Sequence, residues 1–134
     1  MTPAKRVVAM LLEGEYDLKF YAEVAQTALD NAYHYGKSPA GSFGEAANLS
    51  TAKYILSALE NGERDLEKLS DAAHRGYSAV ALAFADPVYQ QKPEKRQARI
   101  KLANTAYANL PEHEKEKDRV AARAIMAEYL KNYP

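Results

Sequence analysis

The feature that most constrains this chain is a spacing of apolar residues that is helical almost from end to end. Apolar side chains recur three or four positions apart, and glycine or proline interrupts the pattern at intervals. Residues 88–91 are the only stretch that reads as a short extended piece. The pattern predicts an all-α bundle of about six helices in a single domain, residues 1–134. The predicted helices begin near Thr2, Asp17, Ser50, Asp65, Glu94 and Pro111.

An internal echo links two parts of the chain. The stretch "GEYDLKFYAEVA" (residues 14–25) matches "GERDLEKLSDAA" (residues 62–73) at a shift of 48 positions. Each has a glycine, an acidic linker, an aspartate placed to cap a helix, and a leucine. One interpretation is a duplicated helical hairpin followed by a C-terminal helix pair. The other is that good helix-start chemistry looks alike wherever it occurs. Residues 36–48, which contain three glycines and a proline, are predicted to be a loop.

The charge balance and the cysteine count restrict the class of protein. Eighteen basic and eighteen acidic side chains give no net charge, which disfavours a protein that grips nucleic acid through many phosphates. The chain has no cysteine, so disulfides and thiolate metal sites are excluded. The basic and apolar opening "KRVVAMLL" is followed at once by acidic residues, unlike a signal peptide, and no apolar run is long enough to span a bilayer. We therefore expect a soluble cytoplasmic protein with no membrane partner.

The sequence does not advertise catalytic chemistry. The three histidines lie far apart, and "HEKEK" (residues 113–117) has Lys117 where a zinc-protease motif requires its second histidine. There is no phosphate-binding P-loop and no dinucleotide-binding glycine motif. We expect a non-enzymatic protein that carries no metal and no cofactor.

A charged run, "NLPEHEKEKDRVAARAI" (residues 109–125), opens the last predicted helix. Pro111 suits the first turn of a helix, and Glu112, Glu114 and Glu116 lie near the positive end of the helix dipole. Glutamate–lysine pairs three positions apart add a little stability. On local chemistry alone this run is a solvated helix start.

The same run and a histidine upstream together resemble a known family. In "LSDAAHRGY" (residues 69–77), His74 follows a leucine by five positions and Tyr77 follows His74 by three; after 32 further residues comes "LPEHEKEKDR". This arrangement is similar to the ryanodine-receptor-type repeat, the RyR domain, with its L-x4-H-x2-W helix and its L-P-x-x-E-K-x-K-D-R helix start. The resemblance covers about residues 66–130. Tyr77 replaces the usual tryptophan, and the family's central Gly-Trp-x-Tyr-Gly and His-Pro elements are missing.

The resemblance implies a small helical module that binds a nucleotide or a nucleotide-derived signal, as in channels and in bacterial or phage proteins. A nucleotide site needs an aromatic face for the base and cations for phosphate. Carried onto this chain, the resemblance nominates tyrosines for stacking, a histidine and an aspartate for hydrogen bonds, and arginines for phosphate. These ligand-binding candidates are His74, Tyr77, Tyr89, Arg96, Asp118 and Arg119.

Plainer interpretations compete with this one. A histidine or tyrosine at core spacing is more often a packing residue, and Asp118 and Arg119 are of the types that pair with helix neighbours. A second hypothesis is a helical interaction module that forms a homo-oligomer through exposed tyrosines and alanine-rich faces such as residues 121–127. A third, weaker hypothesis is DNA binding through the basic side chains of residues 92–101. Tyr33, His34 and Tyr35 form a further aromatic cluster at a predicted helix end.

Overall fold

The computed structural model describes residues 17–84 and 92–134 of the chain. All regular structure in these residues is helical, which confirms the predicted all-α class. The helix predicted from Thr2 and the extended piece predicted at residues 88–91 lie outside the described residues. Five α-helices are described, with a short 3₁₀ turn at Tyr107–Asn109 before the last: α1 (Leu18–Tyr33), α2 (Phe43–Glu60), α3 (Leu66–Ala83), α4 (Pro93–Ala103) and α5 (Glu112–Asn132).

Asp17 and Asp65, which hold matching positions in the two similar stretches of sequence, both cap the start of a helix. The Asp17 carboxylate accepts a hydrogen bond from the backbone N–H of Phe20 at 3.2 Å, and Asp65 accepts one from Lys68 at 3.1 Å. Each satisfies an N–H group that would otherwise lack a partner in the first turn of a helix. The starts of α1 and α3 were therefore predicted correctly from the sequence.

The start of α2 was predicted wrongly. The helix begins at Phe43, within the predicted loop, and not near Ser50. The Ser42 hydroxyl accepts from the N–H of Glu45 at 3.2 Å, while the Glu45 carboxylate accepts from the N–H of Gly41 at 3.1 Å. This reciprocal arrangement is a variant of the capping box, and it outweighs the low helix propensity of Gly44.

The helix predicted over residues 94–108 is shorter in the structure. α4 ends at Ala103, and the chain then makes a bend and the 3₁₀ turn before α5. Pro111 occupies the N-cap position of α5, one residue before the first turn, and its carbonyl accepts from the N–H groups of Glu114 and Lys115. The residues between α4 and α5 thus form an ordered connection, and this connection contributes to the candidate site.

Four of the helices, α1, α2, α3 and α5, pack around one core. α2 and α3 are antiparallel, since Phe43 at the start of α2 contacts Phe84 beyond the end of α3, while Ser50 contacts Gly76 further along. This pair is the second of the two predicted hairpins; the first lies partly outside the described residues. The largest core side chains are Leu18, Tyr21, Leu49, Ile55, Leu56, Leu59, Leu69, Ile125 and Tyr129.

Gly76 sets how closely α2 and α3 approach. A Cβ atom at this position would lie 2.6 Å from the backbone carbonyl oxygen of Ser50, far inside van der Waals contact. The Ser50 hydroxyl donates to the Gly76 carbonyl at 2.7 Å in the buried interface. This close packing fixes the position of α3 along α2. It therefore also fixes the positions of His74 and Tyr77, which flank Gly76 in the sequence.

α4 lies outside the four-helix core. It packs mainly against α3, and none of its residues is buried. Its clearest anchor is Arg99, whose guanidinium lies 3.9 Å from the centroid of the Phe43 ring. Such a cation–π contact adds on the order of 1 kcal/mol.

Candidate functional site

His74 is a buried polar residue at the interface of α3 with the connection that follows α4. The residue is 4 % exposed, and its Nε2 atom lies 2.6 Å from the backbone carbonyl oxygen of Thr105. A carbonyl only accepts hydrogen bonds, so Nε2 carries the hydrogen and Nδ1 of a neutral ring presents its lone pair. The Thr105 contact therefore fixes both the orientation and the tautomer of the ring.

Asp118 of α5 faces that lone pair. Its Oδ2 atom lies 3.9 Å from Nδ1 of His74, too far for a hydrogen bond, and its side chain is 18 % exposed. Within residues 17–84 and 92–134 its carboxyl group makes no hydrogen bond. Burial raises the pKa of Asp118 to about 8, with a further contribution from the negative charge of Glu114. At neutral pH the carboxyl is therefore mostly protonated, and it is open to a hydrogen-bonding partner from outside the described residues.

Tyr77 is half-buried one helical turn beyond His74. The two rings are nearly parallel, with 6.5 Å between centroids, and the Phe43 ring meets Tyr77 edge-on at 6.0 Å. Burial raises the pKa of the Tyr77 phenol, while the positive charge of Arg99 opposes that shift. The hydroxyl thus remains a hydrogen-bond donor at any physiological pH.

Lys117 is a neighbour that sequence reasoning did not nominate. Its ammonium lies 3.3 Å from a Glu114 carboxylate oxygen and 5.7 Å from the centroid of the Tyr35 ring. Burial lowers the pKa of Lys117, but the nearby Tyr35 hydroxyl and the negative charge of Glu114 outweigh it, so the pKa is raised overall. Lys117 also contributes to the electrostatic surroundings of both Tyr77 and Asp118. Lys117 therefore places a positive charge of α5 near Tyr77 and Asp118.

Arg119 points away from this cluster into an ion-pair network. Its guanidinium donates to Glu67 at 2.8 Å, to Glu112 at 2.9 Å and to Glu116 at 3.4 Å. Glu67 also accepts from the hydroxyl of Tyr107. Three carboxylates compensate the one cation, so Arg119 holds α3 and the start of α5 together.

The remaining two predicted residues do not join the cluster. Arg96 is half-buried on α4, and its side chain makes no hydrogen bond or ion pair with the described residues. Tyr89 lies outside the described residues. The structure thus brings together His74, Tyr77 and Asp118, and places Arg119 in a separate network.

The structure also places the residues on which the oligomer and DNA-binding hypotheses depend. Ala121 and Ala122 pack in the core of the bundle, so they are not available to a second copy of the chain. Of the basic residues at 92–101, Lys92, Lys95 and Lys101 are exposed, while Arg99 lies over Phe43. No helix in the described part of the chain is both long and apolar enough to cross a membrane.

The described residues also form a groove of about 560 Å³ between α1, the start of α2 and the loop that joins them. None of the five predicted site residues that the structure describes, His74, Tyr77, Arg96, Asp118 and Arg119, lines it. This size lies within the range of small-molecule sites, which is about 300–1,000 Å³.

The fold and the cluster define an all-α bundle with a polar, partly buried group of residues between two of its helices. Comparison of the chain with protein-family models, curated proteins and solved structures finds no match.

Proposed function

We propose that this bundle is a non-catalytic module that binds a small, nucleotide-derived ligand. The ligand would lie where α3 meets the start of α5, which carries Lys117. The proposal unites the resemblance to the RyR domain with one observation. That observation is the convergence of His74, Tyr77 and Asp118, with the carboxyl of Asp118 left without a hydrogen bond among the described residues.

The chemistry of the cluster favours a ligand rich in acceptors. A protonated Asp118 carboxyl, the Tyr77 hydroxyl and the Lys117 ammonium are all donors near neutral pH. Because its pKa is raised, Asp118 does not repel an anion as an ionised carboxylate would. Phosphate and ribose oxygens and base carbonyls are ligand groups that would use such donors.

Calorimetric titration with adenosine monophosphate, cyclic adenosine monophosphate and ADP-ribose at pH 7 tests the proposal. We expect saturable binding of at least one, and weaker binding at pH 9 because Asp118 ionises and can no longer donate. Asp118→Asn keeps the shape and a donor but cannot ionise, so this variant should lose the pH dependence. Absence of saturable binding across the panel would refute the proposal.

A second set of variants separates contact from packing. Tyr77→Phe removes only the hydroxyl, and we expect affinity to fall about tenfold if that hydroxyl contacts a charged ligand group. Tyr133→Phe is the matched control, because Tyr133 is exposed at the end of α5. Equal affinities for the two variants would exclude Tyr77 from the site.

The oligomer hypothesis remains a prediction with less support, since Ala121 and Ala122 are used within the bundle. Sedimentation distinguishes it from ligand binding. A large stable oligomer that binds none of the nucleotides would favour the interaction module.

A further inference from the structure

The groove beside α1 is a second concave surface, separate from the cluster around His74. One wall is α1, the opposite wall is the start of α2, and the connecting loop closes one end. Ala22, Ala40 and Leu49 supply apolar surface, and the remaining lining residues are polar or charged: Lys19, Glu23, Gln26, Thr27, Asp30, Lys37, Ser38, Glu45 and Asn48.

The loop that closes the groove is held in place by residues of the groove itself. The Gly36 N–H donates to Asp30 at 2.6 Å, and the Gln26 amide donates to the Gly36 carbonyl at 2.9 Å. The side-chain amide of Asn48 donates to the side-chain oxygen of Gln26 at 2.5 Å, and this hydrogen bond joins the two walls. His34 adopts the left-handed conformation, with φ of 58°, where the chain leaves α1. A non-glycine residue in this region is uncommon, so the loop conformation is closely determined by its surroundings.

Three other charged groups of the groove have no partner among the described residues. The side chains of Lys19, Glu23 and Lys37 make no hydrogen bond or ion pair with the described residues, although all three line the groove. Lys19 and Glu23 are four positions apart on α1, a spacing at which opposite charges commonly pair. By contrast, α5 satisfies several of its charges through pairs three positions apart, including Lys117–Glu114.

The positions of these charged groups define the length of ligand that could reach both of them. Gly36 is bonded to Asp30, so Lys37 lies near the Asp30 end of the groove. Glu23 lies seven residues earlier on α1, roughly 10 Å along the helix axis at the usual rise per residue. An extended tripeptide covers roughly the same span, since each residue adds about 3.5 Å.

We propose that this groove binds a short zwitterionic peptide, with its ammonium facing Glu23 and its carboxylate facing Lys37. The side-chain oxygen of Asn48, which accepts no hydrogen bond from residues 17–84 or 92–134, and the hydroxyl of Thr27 line the walls of the groove and suit the peptide's amide groups. The lining carries two lysines and three carboxylates, so a ligand with both signs of charge matches it better than a purely anionic one. The groove lies apart from His74, so this inference does not depend on the nucleotide proposal.

Titration followed by ¹H–¹⁵N NMR tests the inference with three matched peptides. Tri-alanine carries both charges, N-acetyl-tri-alanine lacks the cation, and tri-alanine amide lacks the anion. We expect tri-alanine to bind about tenfold tighter than either blocked form, because each lost charge removes a charge-assisted hydrogen bond. The shifted amides should be those of the groove.

Two variants identify the partner of each end. Lys37→Gln should bind tri-alanine and its amide equally, and Glu23→Gln should bind tri-alanine and the acetylated form equally. Lys53→Gln, at an exposed position of α2 outside the groove, should keep both preferences. Failure of tri-alanine to saturate, equal binding of all three peptides by the unaltered protein, or shifts confined to residues outside the groove would each overturn the inference.

Discussion

Nδ1 of His74 and Oδ2 of Asp118 face each other at 3.9 Å across the interface of α3 and α5. The Thr105 carbonyl holds the far side of the imidazole, so the lone pair of Nδ1 is directed at a carboxyl group that burial keeps protonated. The two groups are near enough to share a ligand atom but are not joined by a hydrogen bond. This relationship makes Asp118 the most informative position to alter.

Asp118→Asn should change how stability depends on pH. The pKa of this carboxyl is about 8 in the folded protein against 3.8 ordinarily, so the folded state retains a proton that the unfolded chain releases. The contribution of Asp118 to the stability of the fold is therefore fully present below pH 4 and is lost as pH rises through about 8. We expect the native protein to lose on the order of 2–5 kcal/mol between these limits through this group, and the variant to lose none of it.

Urea denaturation of both proteins at pH 5 and pH 9 measures this difference. Glu128→Gln serves as the control, because its carboxylate pairs with Lys131 near the exposed end of α5. If the free energies of unfolding of the native protein and of Asp118→Asn change in parallel with pH, the raised pKa of Asp118 is wrong.

Gly76→Ala should destabilise the bundle. The added methyl group meets backbone atoms of Ser50 and Thr51, which cannot move without separating α2 from α3. We expect a loss of about 1–3 kcal/mol in the free energy of unfolding, measured by denaturant titration. Gly44→Ala is the matched helical control, since its methyl group would meet side-chain atoms of Ser38: the Ser38 hydroxyl can rotate away, and the Ser38 Cβ lies in a loop rather than in the packed interface of α2 and α3. A larger loss for Gly44→Ala than for Gly76→Ala would contradict this account.

Ser42→Ala should shorten or loosen the start of α2. The substitution removes the oxygen that accepts from the N–H of Glu45, and the expected cost is about 1 kcal/mol in stability. Hydrogen exchange at residues 43–46 should accelerate more than exchange at the end of the helix. Ser57→Ala, at an exposed position within α2, controls for loss of a serine hydroxyl. Equal exchange rates in the two variants would mean that the cap does not hold the helix start.

Arg119→Gln separates structural from ligand roles. Because Arg119 pairs with Glu67, Glu112 and Glu116, we expect the variant to be less stable, with a smaller deficit at high salt where surface charges are screened. The same variant should leave the affinity for a nucleotide unchanged, as measured by calorimetry. A large loss of affinity in a folded Arg119→Gln protein would return Arg119 to the ligand site, as the resemblance first indicated.

The helices were predictable where local chemistry decides them. Asp17 and Asp65 act as caps through residues three positions away, so a short window of sequence contains the whole interaction. Ser42 and Glu45 have the same spacing, and the start of α2 was missed because the surrounding glycines and proline outweighed this signal. Turn-forming composition and a helix cap can overlap by a few residues, and here the cap decides.

The surroundings of the site were only partly predictable. Asp118 and Glu114 continue, at steps of four and three, the line of α5 positions that includes the buried Ala121 and Ile125. An acidic residue on a core-facing line was therefore a signal of burial within the sequence. Of the three partners of Arg119, Glu112 and Glu116 are neighbours on the same helix, but Glu67 was not predictable, because it lies 52 residues away and is brought near only by the packing of α3 on α5.

α4 has a place in the molecule that bears on access to His74. It buries none of its residues, and it is followed directly by the connection whose Thr105 carbonyl covers the imidazole. Separation of α4 from α3 would sacrifice little apolar contact, so we expect it to be a low-energy subglobal opening that leaves the four-helix core folded. Exchange between bulk water and the imidazole would then follow the excursions of this peripheral helix rather than the much rarer unfolding of the whole chain.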